Sequence, residues 1–159
     1  GLMKQFKEKG LAEAGIQLIG AGDVLDDDLL PSMGDEALGV VTSQPYSAAH
    51  DSPENRAYVA AFEKMPGHKM RPNLMSVGGY DGMHLIYAAL KKAGPNASGD
   101  QLLAAMKGMK WKSPRGPISI DPETRDIVQT IYIGSIKRAD GKNSVVEIAH
   151  YDNVKDPGK

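Results

Sequence analysis

The sequence predicts an α/β fold, because segments with a helical spacing of apolar residues alternate with short apolar runs that are typical of strands. The chain opens with a predicted helix over Gly1–Gly10 that ends at its glycine, and a predicted strand follows at Ile16–Gly20. A helix–strand–loop entry is typical of an internal section of an α/β sheet. We therefore expect this chain to be the C-terminal part of a longer protein.

Composition excludes several functional classes. The chain has 159 residues, 41% hydrophobic and 25% charged, with a net charge of -1. It therefore lacks the basic surface with which proteins bind nucleic acid or an anionic membrane. No apolar run approaches the roughly 18 residues of a membrane helix. Because the sequence contains 0 cysteines, disulfides, thiolate metal ligands and cysteine nucleophiles are excluded.

The segment after the first strand is predicted to contain a short helix and a second strand. Val24–Gly34 has acidic residues near its start, which suits a helix N-terminus, but Pro31 limits its length. Gly39–Ser43 is a compact β-branched strand, and the polar residues Ser47–Asp51 are typical of a loop.

Three helices are predicted in the middle of the chain. Ser52–Met65 opens with a serine N-cap and a proline in the first helical position. Gly79–Ala93 is apolar almost all round, so we expect it to be buried. Ser98–Met109 opens with a capping box.

The C-terminal third is predicted to be mostly strands. Trp111–Gly116 is interpreted as a connection that leads into a short strand at Pro117–Ile120. Ile127–Lys137 and Ser144–Tyr151 then form a predicted pair of strands joined at Asp140–Gly141, which is a strong hairpin signal.

Nucleotide, metal and catalytic sites are not indicated. The Gly20-Ala-Gly22 pair lacks the third glycine of a dinucleotide fingerprint, which would fall at Leu25, and the acids Asp26–Asp28 would repel a pyrophosphate. The acid run also lacks the alternation and glycine of a calcium loop. Serine and carboxylate residues show no catalytic arrangement. No metal-ligand spacing relates the histidines, which are His50, His68, His84 and His150. We therefore predict no cofactor, no metal and no catalytic residue.

Several segments, in this order, resemble one known family. They are Leu18–Asp23 (LIGAGD), Gly34–Pro45 (GDEALGVVTSQP), Gly79–Asp81 (GYD), Arg115–Asp121 (RGPISID) and the strand Thr130–Gly134. Together they resemble the C-terminal part of the solute-binding proteins of branched-chain amino-acid (Leu/Ile/Val-type) ABC transporters. The resemblance covers nearly the whole chain, and its specificity lies in the order of the segments.

The resemblance implies a periplasmic binding protein type I-like fold, with two Rossmann-like αβα lobes joined by three crossovers and closing by a hinge. Residues 1–45 and 130–159 would belong to the C-terminal lobe, with Pro45–Tyr46 as a hinge crossing. Residues 46–129 would pack on an N-terminal lobe that is mostly absent from this chain. Apolar faces left exposed would then be covered by dimeric or swapped packing.

The implied function is that of the substrate-binding component of an ABC importer. It would bind a branched-chain or other small amino acid, or a related carboxylate, between the lobes and deliver it to permease subunits. The implied location is the periplasm, with a signal peptide upstream of this segment. Two alternatives stay open, a sensor of the same fold for an amide or aromatic acid, and an α/β enzyme.

The resemblance also implies a set of ligand-binding residues. Asp23, at the carboxyl end of a strand, would accept the ammonium group of an amino acid, although Gly22 occupies the place of the family's own acid. Met75 would lie against the alkyl part of the ligand. Tyr46 and Tyr80 carry phenol groups able to reach the cleft. Each has a plain structural alternative: Asp23 could cap a turn, and the other three could pack in the core.

Overall fold

The computed structural model describes residues 1–67, 69–139 and 141–158 and contains a six-stranded sheet flanked by helices. The strands are β1 (Ile19–Ala21), β2 (Val41–Gln44), β3 (Lys110–Ser113), β4 (Gly116–Ile120), β5 (Ile127–Ala139) and β6 (Lys142–Val154). The α-helices are α1 (Leu2–Glu8), α2 (Pro53–Glu63), α3 (Leu74–Ala93) and α4 (Gly99–Met106). Within the described ranges, no helix combines the length and the apolar character needed to cross a bilayer. The mixture confirms the predicted α/β class.

The long strand β5 pairs with two different parts of the sheet. Through Ile127 and Val128 it lies antiparallel to β4, and through Tyr132–Ser135 it lies antiparallel to β2, which is in turn parallel to β1. The strand β6 follows β5 along most of its length. The change of partner falls near Thr130, where the sequence predicts a boundary between lobes. The division into lobes remains a prediction.

Two separate clusters of buried side chains lie on either side of this change. The first packs the short helical turns after β1 against the sheet and comprises Leu25, Leu30, Ala37, Val40, Ile136 and Val145. The second joins the segment after β2 to α2 and α3 and comprises Tyr46, Tyr58 and Val77. Each cluster draws on residues far apart in sequence, so each fixes tertiary structure rather than one element.

The predicted helix starts at α2 and α4 are confirmed. The hydroxyl of Ser52 accepts a hydrogen bond from the backbone N–H of Asn55 at 3.0 Å, and Ser98 and Gln101 form a reciprocal capping box. The strand pair of β5 and β6 is also confirmed. Its predicted turn includes Asp140, which lies outside the described residues, as does His68.

The helix predicted within Val24–Gly34, which we expect to be short or to start late because of Pro31, is not a single α-helix. The chain forms short 3-10 helices at Gly22–Leu25 and Leu30–Ser32 instead. Pro31 supplies no backbone donor and stands in the first turn of the second one, so a continuous α-helix cannot pass through it. The Asp27 carboxylate also turns inward to bond with a neighbouring segment.

The interpretation of Trp111–Gly116 as a connection is wrong as well. Half of it, residues 111–113, belongs to β3, in which Trp111 lies opposite Ile118 of β4. The strand is short and lies at the edge of the sheet, with exposed lysines on both sides of its tryptophan. Lysines on an edge strand discourage pairing with other chains, and they hide its alternating pattern from sequence analysis.

Helix α3 differs from its prediction in length and burial. It starts at Leu74, capped by a reciprocal box between Asn73 and Ser76, rather than at Gly79. Only Val77, Asp81 and Ala89 are buried in it, because α3 packs against its neighbours along one side. Several large apolar side chains of the helix are exposed, namely Met75, Tyr80, Met83, Ile86 and Tyr87. The prediction that this helix is buried is therefore wrong for this chain.

Candidate functional site

The carboxyl ends of β1 and β2 meet at one edge of the sheet. Gly22 directly follows β1, and Gln44 is the last residue of the parallel strand β2. A Cβ added at Gly22 would lie 2.5 Å from the Cβ of Gln44 and 2.8 Å from its Oε1. Position 22 therefore has no room for a side chain, because Gln44 fills that space. In open α/β sheets, ligands bind outside the carboxyl ends of parallel strands such as these.

Asp23 lies in the 3-10 helix that follows β1. Its side chain is exposed and has no hydrogen bond or ion pair to another residue in the described ranges. The carboxylate therefore does not cap the turn, which was the structural alternative. It is an acceptor that a ligand can use without breaking an internal contact.

Gln44 is a polar residue that the sequence analysis missed. It is 5% exposed, and its Nε2 has no hydrogen-bond partner among the described residues. Thr42 lies on the same face of β2 and leaves its Oγ1 unpaired in the same part of the chain. Buried polar atoms are normally hydrogen-bonded, so two orphans on one strand face mark a place where a further group is expected. In the sequence, the only signal for Gln44 as a candidate binding residue is its position at the end of a predicted strand.

Tyr46 lies in the core rather than at a surface. It is 1% exposed, and its hydroxyl donates to Oδ1 of Asn55 at 3.0 Å. Burial raises the pKa of its phenol above the usual range, so the hydroxyl stays protonated. Its ring meets Tyr58 edge-on, with centroids 6.2 Å apart. Tyr46 therefore packs, and it would act on a ligand only through the residues that it supports.

Tyr58 links the remaining predicted residues. Its ring lies 4.9 Å from that of Tyr80, and its hydroxyl donates to Ser76 Oγ at 2.8 Å. Tyr80 is 50% exposed, and Met75, next to Ser76 on α3, is 72% exposed. The structure thus brings Tyr46 and Tyr80 together through one aromatic ring. It also places Gly22 against Gln44, and Gln44 precedes Tyr46 by two residues.

A buried ion pair fixes α3 directly after Tyr80. Asp81 accepts hydrogen bonds from Arg115 Nε at 2.8 Å and from Ser113 Oγ at 2.9 Å. The indole N–H of Trp111 reaches the same carboxylate at 3.2 Å. Three donors from β3 and the turn after it therefore converge on one acid, which holds the helix in one position. Asp81 and Arg115 belong to separate sequence segments, and their contact is not visible in sequence.

The connection that leaves β2 is held from three sides. Asp27 accepts hydrogen bonds from Ser47 Oγ at 3.2 Å and from the Ala48 N–H at 2.9 Å, while Nδ2 of Asn55 donates to the carbonyls of Ala48 and His50. His50 Nδ1 lies 2.7 Å from Glu147 Oε1 on β6. Burial raises the pKa of Asp27 to about 6 despite the two bonds that it accepts. This connection directly follows Pro45–Tyr46, the predicted hinge crossing.

Metal binding has no support in the described part of the chain. Nowhere within it do three or more histidine, aspartate or glutamate side chains form a group suited to an ion. The residues at the strand ends are a glycine, an exposed acid and an amide. Their hydrogen-bonding groups suit an organic ligand rather than a metal ion.

Comparison with known sequences gives consistent matches. The sequence model of the periplasmic binding protein family matches residues 1–142. The chain is 43% identical over 159 residues to Leu/Ile/Val-binding protein homolog 6 of Brucella abortus (strain 2308) and of Brucella suis biovar 1 (strain 1330). The match covers 99% of this chain and 41% of each relative. The chain therefore spans less than half the length of these relatives.

Solved structures show the same fold. A solute-binding protein of an ABC transporter from Rhodopseudomonas palustris BisB5, in complex with 3,4-dihydroxy benzoic acid, has a TM-score of 0.89 and 63% identity over 98% of this chain and 42% of its own. One from Rhodopseudomonas palustris HaA2, in complex with p-hydroxybenzoic acid, has a TM-score of 0.91 and 39% identity over 99% of this chain and 43% of its own. A leucine-, isoleucine-, valine-, threonine- and alanine-binding protein from Brucella ovis has a TM-score of 0.75 at 18% identity, over 98% of this chain and 41% of its own, which shows the fold alone. The predicted type I fold, as a partial copy, is confirmed.

Proposed function

The chain belongs to the periplasmic binding protein family, and we propose that it is part of the solute-binding component of an ABC importer whose ligand is a hydroxylated benzoate. One observation carries the choice of ligand. The solute-binding protein crystallised with 3,4-dihydroxy benzoic acid shares 63% of its residues with this chain over 98% of the chain's length. This ligand class corresponds to the aromatic acid that the sequence analysis left as an alternative.

Two exposed side chains of α3 suit a flat aromatic ligand. Tyr80 offers half of its ring to a neighbour and rests on Tyr58 behind it, and aromatic rings pair favourably at offset or tilted angles. Met75 adds a flexible and polarisable contact. In this proposal Gly22 and Asp23 face the polar end of the ligand, while Tyr46 supports the site from within the core.

The proposed mechanism is closure of two lobes on the ligand. Residues 1–45 and 130–159 would move as one lobe and residues 46–129 with the other, about the connection after Tyr46. A ligand that contacts both lobes favours the closed form, and the permease subunits would recognise that form. The other exposed apolar side chains of α3, which are Met83, Ile86 and Tyr87, would pack against the remainder of the N-terminal lobe. The protein would act in the periplasm, carried there by a signal peptide upstream, and would catalyse no reaction.

A branched-chain amino acid is the second candidate ligand. It is favoured by the name of the curated relatives, Leu/Ile/Val-binding protein homolog 6, at 43% identity. Within the site, the unpaired carboxylate of Asp23 is a suitable acceptor for an ammonium group. The two candidates differ in charge at this point, since an amino acid presents a cation there and a hydroxybenzoate does not.

Thermal unfolding of the full-length protein with a ligand panel tests the proposal. The panel contains 3,4-dihydroxybenzoate, 4-hydroxybenzoate, benzoate, leucine, valine and an aromatic amide. A ligand present at about 100 times its dissociation constant stabilises the fold by roughly 2.7 kcal/mol, which raises the midpoint by several degrees. We expect the hydroxylated benzoates to do so. Stabilisation by leucine or valine alone would replace this ligand with the second candidate, and a response to none of the six would reject both.

A further inference from the structure

The ring of Tyr58 lies between the buried core and the exposed tyrosine of the proposed site. We propose that Tyr58 is a positioning residue, which holds the ring of Tyr80 in the orientation that packs against an aromatic ligand. The inference rests on the proposed function, in which Tyr80 contacts the ligand. It adds a buried residue that acts on the ligand through Tyr80.

Three contacts fix the ring of Tyr58, which is 7% exposed. Its centroid lies 6.2 Å from that of Tyr46 and 6.1 Å from that of Phe62, one turn later on α2. Its hydroxyl donates to Ser76 Oγ at 2.8 Å, in the first turn of α3. Burial raises the pKa of this phenol, so the hydroxyl keeps the proton that it donates. The ring therefore occupies one position relative to both helices.

Tyr80 is held much less firmly than Tyr58. Its side chain is 50% exposed on α3, and an exposed side chain can change rotamer unless a neighbour holds it. Among the described residues, Tyr58 is the only aromatic ring in contact with it, with centroids 4.9 Å apart and planes tilted by 56°. Aromatic pairs at this distance are favourable. One part of the Tyr80 ring therefore has a fixed neighbour, and the exposed part is left for a ligand.

A ring that is already in place lowers the cost of binding. Ordering a mobile side chain when the ligand arrives weakens affinity, and a residue that holds the side chain beforehand removes that loss. For one side chain the loss corresponds to a factor of about two to ten in the dissociation constant. A flat aromatic ligand gains from this arrangement, because the attraction between two rings depends on their relative orientation.

A double-mutant cycle in the full-length protein tests this assignment, with the affinity for 4-hydroxybenzoate measured by calorimetric titration. Tyr58→Leu should weaken binding about two- to tenfold, because the ring of Tyr80 loses the neighbour that holds it. Tyr80→Leu should also weaken binding. In the Tyr80→Leu background, Tyr58→Leu should have no further effect, because the ring that Tyr58 positions is gone.

Two further variants separate the Tyr58 ring from the rest of the cluster. Tyr58→Phe keeps the ring and removes only the hydroxyl, so it should keep the wild-type affinity. Phe62→Leu removes another ring that packs against the same cluster, and it should also keep the wild-type affinity. Thermal unfolding verifies that each variant is folded. If Tyr58→Leu does not fold, Tyr58→Met, which fills more of the space, takes its place in the cycle.

Any of four results would overturn the inference. No loss in Tyr58→Leu, or an equal loss in Tyr58→Phe or Phe62→Leu, means that the Tyr58 ring has no specific role. An equal loss from Tyr58→Leu in both backgrounds means that Tyr58 acts through the stability of the fold rather than through Tyr80. An unchanged affinity in Tyr80→Leu places Tyr80 outside the site, and the proposed ligand class would survive. If the wild type binds neither 4-hydroxybenzoate nor 3,4-dihydroxybenzoate, the proposed function fails, and the inference falls with it.

Discussion

Asp27 connects the folding stability of this chain to pH. Its carboxyl group is 3% exposed and accepts hydrogen bonds from Ser47 and Ala48. Burial raises its pKa from 3.8 to about 6; neighbouring Asp26 acts in the same direction, and Arg71 opposes it. A raised carboxyl pKa favours the protonated form in the folded state. Asp27 therefore stabilises the fold fully below pH 3.8, and this stabilisation is lost as the pH rises through about 6.

The substitution Asp27→Asn isolates this effect. The amide oxygen of asparagine can accept from the Ala48 N–H, and its NH₂ group can donate to Ser47 Oγ, so the local bonds are kept. The difference between a pKa of 3.8 and one of about 6 corresponds to about 3 kcal/mol. Relative to the wild type, the free energy of unfolding of the variant should therefore rise by about 2 kcal/mol between pH 4 and pH 7, because part of the ~3 kcal/mol is already lost at pH 4, above 3.8.

Urea unfolding at pH 4, 5, 6 and 7, followed by the fluorescence of Trp111, measures this difference. Asp51→Asn is the control, because it removes a nearby carboxylate whose side chain is 91% exposed and makes only a surface ion pair with Arg56. The difference in free energy of unfolding between that variant and the wild type should stay constant from pH 4 to pH 7. If Asp27→Asn also differed from the wild type by the same free energy of unfolding at every pH, Asp27 would not have a raised pKa in the folded state.

Three further predictions follow from contacts elsewhere in the chain. Asp81→Ala should reduce the free energy of unfolding by about 3–5 kcal/mol, because it leaves the buried guanidinium of Arg115 without its counter-charge; a loss below about 1 kcal/mol in urea titrations would contradict this. Gly22→Ala should destabilise the fold by about 1–3 kcal/mol through its clash with the Cβ of Gln44, and it should cost much less in a Gln44→Gly background, which removes that Cβ. The exposed apolar side of α3 should make this chain associate, so light scattering should give the mass of two chains, and a cooperative monomer would disprove it.

Local signals explain which elements could be predicted from the sequence. The starts of α2 and α4 depend on a capping side chain and a backbone N–H three residues later, so a short sequence window contains the whole interaction. The same kind of signal at Asn73 starts α3 at Leu74, before the predicted start at Gly79. The strand pair of β5 and β6 was predictable for a similar reason, since it combines two long apolar runs with a tight turn.

Non-local contacts explain the failures. The segment after β1 has helical spacing, yet the bonds from Asp27 to Ser47 and Ala48 and the proline at 31 impose short 3-10 turns. The burial of α3 depends on which element packs against its outer side. The apolar pattern of the helix sequence cannot specify that element. In the site, Gly22 and Asp23 were predicted from a strand end. The close approach of Gln44 to Gly22 could not be predicted, because it depends on the register between β1 and β2.

Isothermal titration of the full-length protein with 3,4-dihydroxybenzoate, repeated in an excess of leucine, tests the central claim most directly. The account predicts saturable binding of one ligand per protein that leucine does not reduce. Binding of leucine with no heat from 3,4-dihydroxybenzoate would contradict it.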